Sequence, residues 1–309
     1  MKKSKVIKVL IADTPIEARI EESLNNIYKL FSKFEKFDNP TELKITIFKS
    51  TTRSIKLSSD LRQLKITGDN INNLTNPFNL IGVMQAIFRF TGIHSIKKKN
   101  YLLHGSASII NDNAIFFGDD GKSSAKTLSS IECALNSKQY IGDEFCFLDM
   151  NNKTIFSYSF IPLHLRPEVK KHFVHIHKIM LPNSKYQETK AGYFIEPTKL
   201  FKIITLKKLT AFIFPYFNNK EAKLQPLNNQ QKKEAISVCI SAHLLKLFHP
   251  RLDRMRFTTE KDSAEPVLLE KDLMKALIKN LSLQNAISQI AKEFSCYRAY
   301  IKEPCDIKG

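Results

Sequence analysis

The stretch FFGDDGKSSAKT, residues 116–127, joins an apolar run to a helical pattern. The run Ala114–Phe117 is typical of a buried strand, Gly118 ends it, and apolar residues at helical spacing follow from Leu128. A strand, a turn rich in Gly, Lys and Ser, and a helix together form the arrangement that binds phosphate groups, because the N–H groups and dipole of the helix attract anions. The alternative is an ordinary polar turn between a strand and a helix.

Two alignments of this stretch with the phosphate-loop pattern GxxxxGK[ST] are open. One uses Gly121 and Lys122, which keeps a Gly-Lys-Ser triplet but leaves only three residues after the strand. The other uses Ala125 and Lys126, which puts a Lys-Thr pair at the start of the helical pattern. In that alignment Asp120 and Ala125 stand where the pattern has glycine. Because glycine alone adopts positive φ freely, the second alignment predicts a narrower loop.

Composition predicts a globular protein of one large or two smaller domains. The chain has 309 residues, 43% of them hydrophobic and 25% charged. No apolar run is long enough to span a bilayer, and the first run, Val6–Ala12, is interrupted by Lys8 and is typical of a strand rather than a signal peptide. The five cysteines have no CxxC or zinc-type spacing. Free thiols in a reducing cytoplasm are therefore expected.

The formal net charge of +18 has two interpretations. One is a lysine-rich composition without functional meaning. The other is attraction to nucleic acid, to an acidic protein or to nucleotide phosphates. Basic residues are spread along the chain, with one compact cluster at Lys97–Lys99, and they do not alternate with aromatic residues as in nucleic-acid platforms. A nucleic-acid-associated protein remains an alternative function.

The hydrophobic pattern predicts a small α+β region over residues 1–75 and a mixed α/β region over residues 76–309. In the first region, helical spacing predicts a helix over Ile20–Phe34. In the second, a helix begins at Asn76-Pro77, another covers residues 125–136, and two more cover residues 229–248 and 268–294. Predicted strands are Lys5–Ile11, Leu43–Phe48, Ser54–Leu57, Leu61–Thr67, Tyr101–Leu103, Ser108–Ile110, Ala114–Phe117 and Phe145–Leu148.

The order of motifs resembles the catalytic domain of the HPr kinase/phosphorylase family, whose nucleotide fold is related to that of phosphoenolpyruvate carboxykinase. The matching parts are Leu103-His104-Gly105, the strand and loop of the opening stretch, and Tyr140-Ile141-Gly142-Asp143-Glu144. Asp143 follows Lys126 by seventeen residues, as in the family, and this spacing favours the second alignment of the loop. The resemblance covers about residues 80–305. The sequence departs from the family in the loop, where Asp120 and Ala125 stand at glycine positions.

The resemblance implies a role for each matching residue. Asp143 would accept the proton of a substrate hydroxyl, with His104 beside it as a further catalytic residue. Glu144 and Thr127 would hold Mg²⁺, and Arg166 would lie on the substrate side. The implied nucleotide-binding residues are Gly118, Gly121, Lys122, Ser123, Ser124, Ala125, Lys126 and Thr127.

The resemblance therefore implies a kinase that uses ATP or another nucleotide with Mg²⁺. The acceptor would be a serine-type hydroxyl of a protein, peptide or small molecule, and the net positive charge would suit an acidic one. Relatives of this fold often assemble, so the resemblance also implies a homo-oligomer. A catalytically weak nucleotide-binding regulator or scaffold is the alternative, since the loop lacks its glycines. A separate hypothesis is a metal group formed by His172, His175 and His177.

Overall fold

The computed structural model contains helices and mixed β-sheets, which confirms the α+β (mixed α/β) class predicted from the sequence. None of the helices within its described residues is long and apolar enough to cross a membrane. The residues it describes are 3–52, 54–69, 71–73, 77–119, 125–158, 160, 162–165, 186–189, 192–217, 222–248 and 275–301.

Contacts divide the chain into two compact units. The first unit comprises Met1–Asn100 and Leu244–Leu273, and the second comprises Tyr101–His243 and Met274–Gly309. The predicted division at residues 75 and 76 places the helix Pro77–Ser95 in the second region, whereas its contacts place it in the first unit.

The first unit is built on a six-stranded mixed sheet with the strand order β3-β1-β2-β4-β6-β5. Side chains alternate along these strands, so that one face is apolar and buried while the other carries mostly polar residues. Ile27, Leu30 and Phe31 of helix α1 belong to the buried core. Its elements are β1 (Ser4–Ile11), β2 (Thr14–Glu21), α1 (Asn25–Phe31), β3 (Glu35–Lys36), β4 (Lys44–Lys49), β5 (Ser54–Leu57), β6 (Gln63–Gly68) and α2 (Pro77–Ser95).

The helix predicted over Ile20–Phe34 is wrong in its first part, where the chain forms the end of strand β2. Ala12 and Asp13 both adopt positive φ, at 48° and 57°, and make a two-residue turn that pairs β1 with β2. Ile16 and Ile20 then alternate into the core as strand residues do. The predicted helix begins only at Asn25, because the hairpin takes up the residues before it.

The second unit contains a ten-stranded mixed sheet and a separate three-stranded sheet, β13-β15-β14. Residues 275–280 are also helical. The labelled elements that lie wholly or mainly in this unit are β7 (Asn100–Leu103), β8 (Gly105–Ile110), β9 (Asn113–Gly118), α3 (Lys126–Ser137), β10 (Gln139–Asp143), β11 (Cys146–Asp149), β12 (Thr154–Phe156), β13 (Leu163–Leu165), β14 (Tyr186–Thr189), β15 (Gly192–Ile195), β16 (Lys202–Ile203), β17 (Leu206–Phe217), β18 (Lys223–Pro226), α4 (Asn229–Phe248), α5 (Leu283–Glu293) and β19 (Ser295–Ile301).

The pairing of three central strands brings separate parts of the sequence to one edge of the large sheet. Strand β8 pairs antiparallel with β9 on one side and with β10 on the other, so β9 and β10 run in the same direction. Gly105 at the start of β8 is opposite Gly118 at the end of β9, and Ser106 is opposite Asp143 at the end of β10. His104, the loop after β9 and the acidic pair therefore share this edge.

Helix α3 leads directly from this edge and has one apolar face. Its residues Leu128, Ile131 and Ala134 pack in a buried cluster with Tyr140 of β10. Residues of the three-stranded sheet complete the same cluster, which fixes the helix and hence the position of its first turn. These residues are Leu163, Leu165, Tyr193 and Ile195.

Candidate functional site

Four ionisable side chains meet at the edge formed by β8, β9 and β10. Three of them belong to predicted site residues, and the fourth belongs to Asp119, which directly follows β9. Lys126 is the first residue of α3, and its Nζ lies 2.6 Å from Nε2 of His104. The same Nε2 lies 3.3 Å from Oε2 of Glu144. Lys126 Nζ is also 3.6 Å from Oδ2 of Asp119. These contacts form a compact group of two basic and two acidic side chains.

Lys126 is only 9% exposed although it carries a charge. It starts a twelve-residue helix with no acidic residue in the first turn and no side-chain cap at Ala125. The positive end of the helix dipole and the ammonium group therefore add to each other at this point. Such an arrangement favours an anion beside the helix N-terminus.

The acidic pair occupies a tight turn that separates its two carboxylates. Glu144 has a φ of 62°, and the N–H of Phe145 donates to the carbonyl of Asp143 at 2.7 Å, which defines a γ-turn. A non-glycine residue in this conformation costs about 1–3 kcal/mol. Oδ1 of Asp143 accepts a hydrogen bond of 3.0 Å from Oγ1 of Thr127, whereas Glu144 reaches His104. The turn thus gives each carboxylate a different environment.

Gly142 allows the chain to pack closely just before this turn. A Cβ atom at Gly142 would lie 2.2 Å from Oγ of Ser157. That hydroxyl donates to the carbonyl of Phe145 at 2.7 Å. Ser157 therefore holds the far side of the acidic turn only because position 142 has no side chain.

The two carboxyl groups have pKa values shifted in opposite directions. Burial and the nearby charge of Glu144 raise the pKa of Asp143 to about 7, although Lys126 and the hydrogen bond from Thr127 partly offset them. Burial also raises the pKa of Glu144, but the charge of Lys126 and the neighbouring imidazoles outweigh it and hold that pKa well below its usual value. At neutral pH, Glu144 is ionised while Asp143 can take up a proton.

A further residue of the site, His243, was not predicted from the sequence. It is fully buried on α4, its ring stacks on Phe145 with centroids 4.9 Å apart, and it meets the ring of His104 edge-on at 4.7 Å. Its Nε2 lies 2.5 Å from the backbone oxygen of Glu144. No local sequence motif predicts a role for His243, because Glu144, whose backbone oxygen it contacts, is about a hundred residues away in the sequence. A histidine on the buried side of a predicted amphipathic helix was the one available signal.

The other predicted site residues divide into two groups. Strand β9 ends at Gly118, and helix α3 begins directly after Ala125, which is fully buried. These two residues therefore flank the loop. The remaining predicted residues lie outside the described part of the chain, as do the three histidines considered as a metal group. They are Gly121, Lys122, Ser123, Ser124, Arg166, His172, His175 and His177.

The oxygen atoms at the site fit Mg²⁺ best beside Thr127. Mg²⁺ prefers hard oxygen ligands and is usually held by one or two protein groups together with substrate phosphates and waters. Oγ1 of Thr127 and Oδ1 of Asp143 form such a pair. Glu144, the carboxylate expected from the resemblance, instead has imidazole neighbours.

No protein-family model matches the sequence, and no curated protein matches it.

Proposed function

We propose that the protein is a nucleotide-dependent kinase, with ATP as the phosphoryl donor and a serine-type hydroxyl as the acceptor, and that the second unit is an HPr kinase-like catalytic domain. The observation that carries the proposal is the convergence of Lys126, Thr127, Asp143 and His104 at the edge where the β9–α3 loop begins. Phosphoryl transfer depends mainly on positioning and charge neutralisation, and these groups supply both.

The phosphate groups would bind at the N-terminus of α3. Lys126 is buried there, so its ammonium interacts with an anion more strongly than it would in bulk water. Its contacts with Asp119 and His104 orient the ammonium before the nucleotide binds, and phosphate oxygens would then replace them as its partners. Thr127 and Asp143 would hold Mg²⁺, which when bound neutralises charge on the phosphates.

Asp143 would act as the proton acceptor. The acceptor hydroxyl oxygen bonds to the γ-phosphorus, the bond from that phosphorus to the β–γ bridging oxygen breaks, and ADP leaves. The hydroxyl proton passes to Asp143, at the carboxylate oxygen that does not face Thr127. Glu144 stays charged and keeps Lys126 and His104 oriented.

Nucleotide binding is tested by calorimetry and thermal unfolding with ATP, with and without Mg²⁺. At a hundredfold excess over Kd, a bound nucleotide stabilises the folded state by about 2.7 kcal/mol. We expect this stabilisation in the wild type and its loss in Lys126→Met. Lys208→Met removes the same charge from an exposed position of β17 and should bind normally. The proposal would be refuted if the wild type bound no nucleotide, or if Lys126→Met bound ATP as tightly as Lys208→Met.

Turnover separates a kinase from a nucleotide-binding regulator. The wild type is incubated with ATP labelled at the γ-phosphate and a library of serine peptides, acidic ones included. A kinase transfers the label, and Asp143→Asn should bind the nucleotide but transfer at least about a hundredfold less. Nucleotide binding without any transfer by the wild type would favour the regulator instead.

A further inference from the structure

We propose that His104, Glu144 and His243 bind a divalent transition-metal ion, such as Zn²⁺, at a site distinct from the Mg²⁺ position beside Thr127. Each of the three side chains offers one ligand atom, and these atoms all lie within 4.8 Å of one another. Two imidazole nitrogens and one carboxylate oxygen form a ligand set used for Zn²⁺ and related metals rather than for Mg²⁺. The proposal stands independently of the kinase function.

The three ligands come from separate segments that backbone contacts hold together. The N–H of His104 donates to the carbonyl of Cys239 on α4 at 2.8 Å. His243 follows Cys239 by four residues, so both lie on the same side of that helix. Phe145 stacks on His243 and directly follows Glu144 in the chain. The site is therefore built before any ion binds.

One of the three ligand pairs already has the separation that a tetrahedral ion requires, and the other two would close from at most 4.8 Å. Bonds of about 2.1 Å in tetrahedral geometry place ligand atoms about 3.4 Å apart. Nε2 of His104 and Oε2 of Glu144 are already 3.3 Å apart. In the tautomer in which Nε2 of His104 accepts from the ammonium of Lys126, this nitrogen carries its lone pair, and the ion would take that lone pair in place of Lys126.

The orientation of His243 also matches a metal ligand. Metal-bound histidines usually donate their other ring N–H to a carboxylate or a backbone carbonyl, which fixes the tautomer. Nε2 of His243 lies 2.5 Å from the backbone oxygen of Glu144, and a carbonyl can only accept. The neutral ring then carries its lone pair on Nδ1, which we assign as the ligating nitrogen.

Lys126 would compete with the metal for His104. Its Nζ lies 2.6 Å from the same Nε2 that would ligate the ion. Metal binding would therefore release the ammonium, with Asp119 at 3.6 Å as its remaining acidic neighbour. This competition predicts that removing the side chain of Lys126 strengthens metal binding. No such increase is expected if the three residues have only a structural role.

The test measures binding of Zn²⁺ by calorimetry and of Co²⁺ by its visible absorption, with metal-free full-length protein. We expect one equivalent per chain, persisting in excess Mg²⁺. Binding should be at least about tenfold weaker in His243→Gln and in Glu144→Gln. It should be at least about fivefold tighter in Lys126→Met, because even two unit charges about 4 Å apart in water interact by about 1 kcal/mol, and the ion carries two charges. Glu144→Gln keeps the test valid should His243→Gln fail to fold.

Two controls separate this site from other histidines. His164→Gln removes a ring that stacks on Phe194 in the three-stranded sheet, and it should leave binding unchanged. The triple variant with Gln at positions 172, 175 and 177 should also keep one equivalent. Binding that survives in Glu144→Gln, or that is lost in the triple variant instead, would overturn the proposal. So would unchanged or weaker binding in Lys126→Met. Nucleotide stabilisation measured without transition metals reports on the kinase proposal alone.

Discussion

Among the described residues, the buried polar side chains on the strands of the six-stranded sheet belong to Thr14 and Thr67, whereas the edge of the ten-stranded sheet buries His104, Lys126 and Asp143. A threonine hydroxyl needs one or two hydrogen bonds, which nearby backbone oxygens provide. A buried charge needs an opposite charge and further hydrogen bonds, and even then it adds little or nothing to stability.

The first sheet therefore buries polar groups that its own backbone satisfies, whereas the second buries ionisable groups at this edge. Glu144 adds a strained γ-turn, and Asp143 adds a carboxyl group whose pKa is raised by burial. Each of these features costs free energy of folding. Perturbed carboxyl groups next to a lysine and a histidine are typical of functional sites.

The largest effect is expected from adding one methyl group at the edge of the second sheet. In Gly105→Ala the Cβ atom would lie 2.4 Å from the backbone oxygen of Phe117 and 2.3 Å from the ring of Phe116. Backbone cannot move aside as a flexible side chain does, so we expect a loss of at least about 3 kcal/mol in unfolding free energy. Urea unfolding followed by circular dichroism measures it. A loss below about 1 kcal/mol would show that β8 and β9 can separate easily.

In the first sheet, the expected effects depend only on which face a residue occupies. Ile47→Ala removes a fully buried side chain from β4 and should cost about 2–4 kcal/mol. Thr46→Ala changes the neighbouring residue on the opposite face and should stay within about 0.5 kcal/mol of the wild type. The pair is compared by the same urea experiment. Equal costs for both variants would contradict the simple two-faced arrangement of this sheet.

The free energy of unfolding of Asp143→Asn should increase relative to that of the wild type as the pH rises. The pKa of Asp143 is raised from 3.8 to about 7, so between these values the unfolded chain loses its proton first and the wild type loses stability with rising pH. Asparagine does not titrate. The shift of about three units sets a ceiling near 4 kcal/mol, and about two of these units lie between pH 5 and pH 7, so we expect a change of about 2–3 kcal/mol over that range.

The measurement compares unfolding free energies of the two proteins from pH 5 to pH 8 in buffer with EDTA. The difference should grow up to about pH 7 and then level off. Glu144 has a pKa well below its usual value, so its own contribution is already complete at pH 5. A difference that stays constant with pH would mean that Asp143 is ionised throughout.

Local patterns predicted many elements because local physics determines them. The alternation of apolar and polar residues predicted the ends of β1, β4, β5 and β6 to within two residues. Helical spacing predicted both ends of α3 to within one residue. The predicted strand over Phe145–Leu148 corresponds to β11, but β10 was not predicted as a separate strand. Every residue of Tyr140–Asp143 is buried, so this run has no alternation that would reveal a strand.

The candidate site could be predicted only as far as it follows chain order. Lys126, Asp143 and His104 were singled out by a family resemblance in the order and spacing of motifs, and the structure places them together. The contact of His104 with Lys126, and the whole role of His243, depend on which strands are neighbours and on where α4 packs. Those are properties of tertiary structure that no local pattern carries.

The smallest effect is expected for an exposed ion pair of the first unit. Nη1 of Arg62 lies 3.1 Å from Oε2 of Glu42, with side chains 55% and 75% exposed. A double-mutant cycle with Arg62→Gln and Glu42→Gln should give a coupling below about 1 kcal/mol, because water screens both charges and ordering them costs entropy. At about 0.5 M salt the coupling should fall by about half, since the Debye length is then only about 4 Å, close to the separation of the two charges.

The same cycle on Lys126→Met and Asp119→Asn provides the matched comparison at the buried edge. These side chains are 11% and 20% exposed, and their charges lie 3.6 Å apart. Screening by salt reaches them poorly, so their coupling should exceed that of the exposed pair and persist at about 0.5 M salt. A coupling that disappears with salt would mean that the edge is open to solvent. The low-dielectric environment assumed for Lys126, and with it the strength of phosphate binding there, would then be wrong.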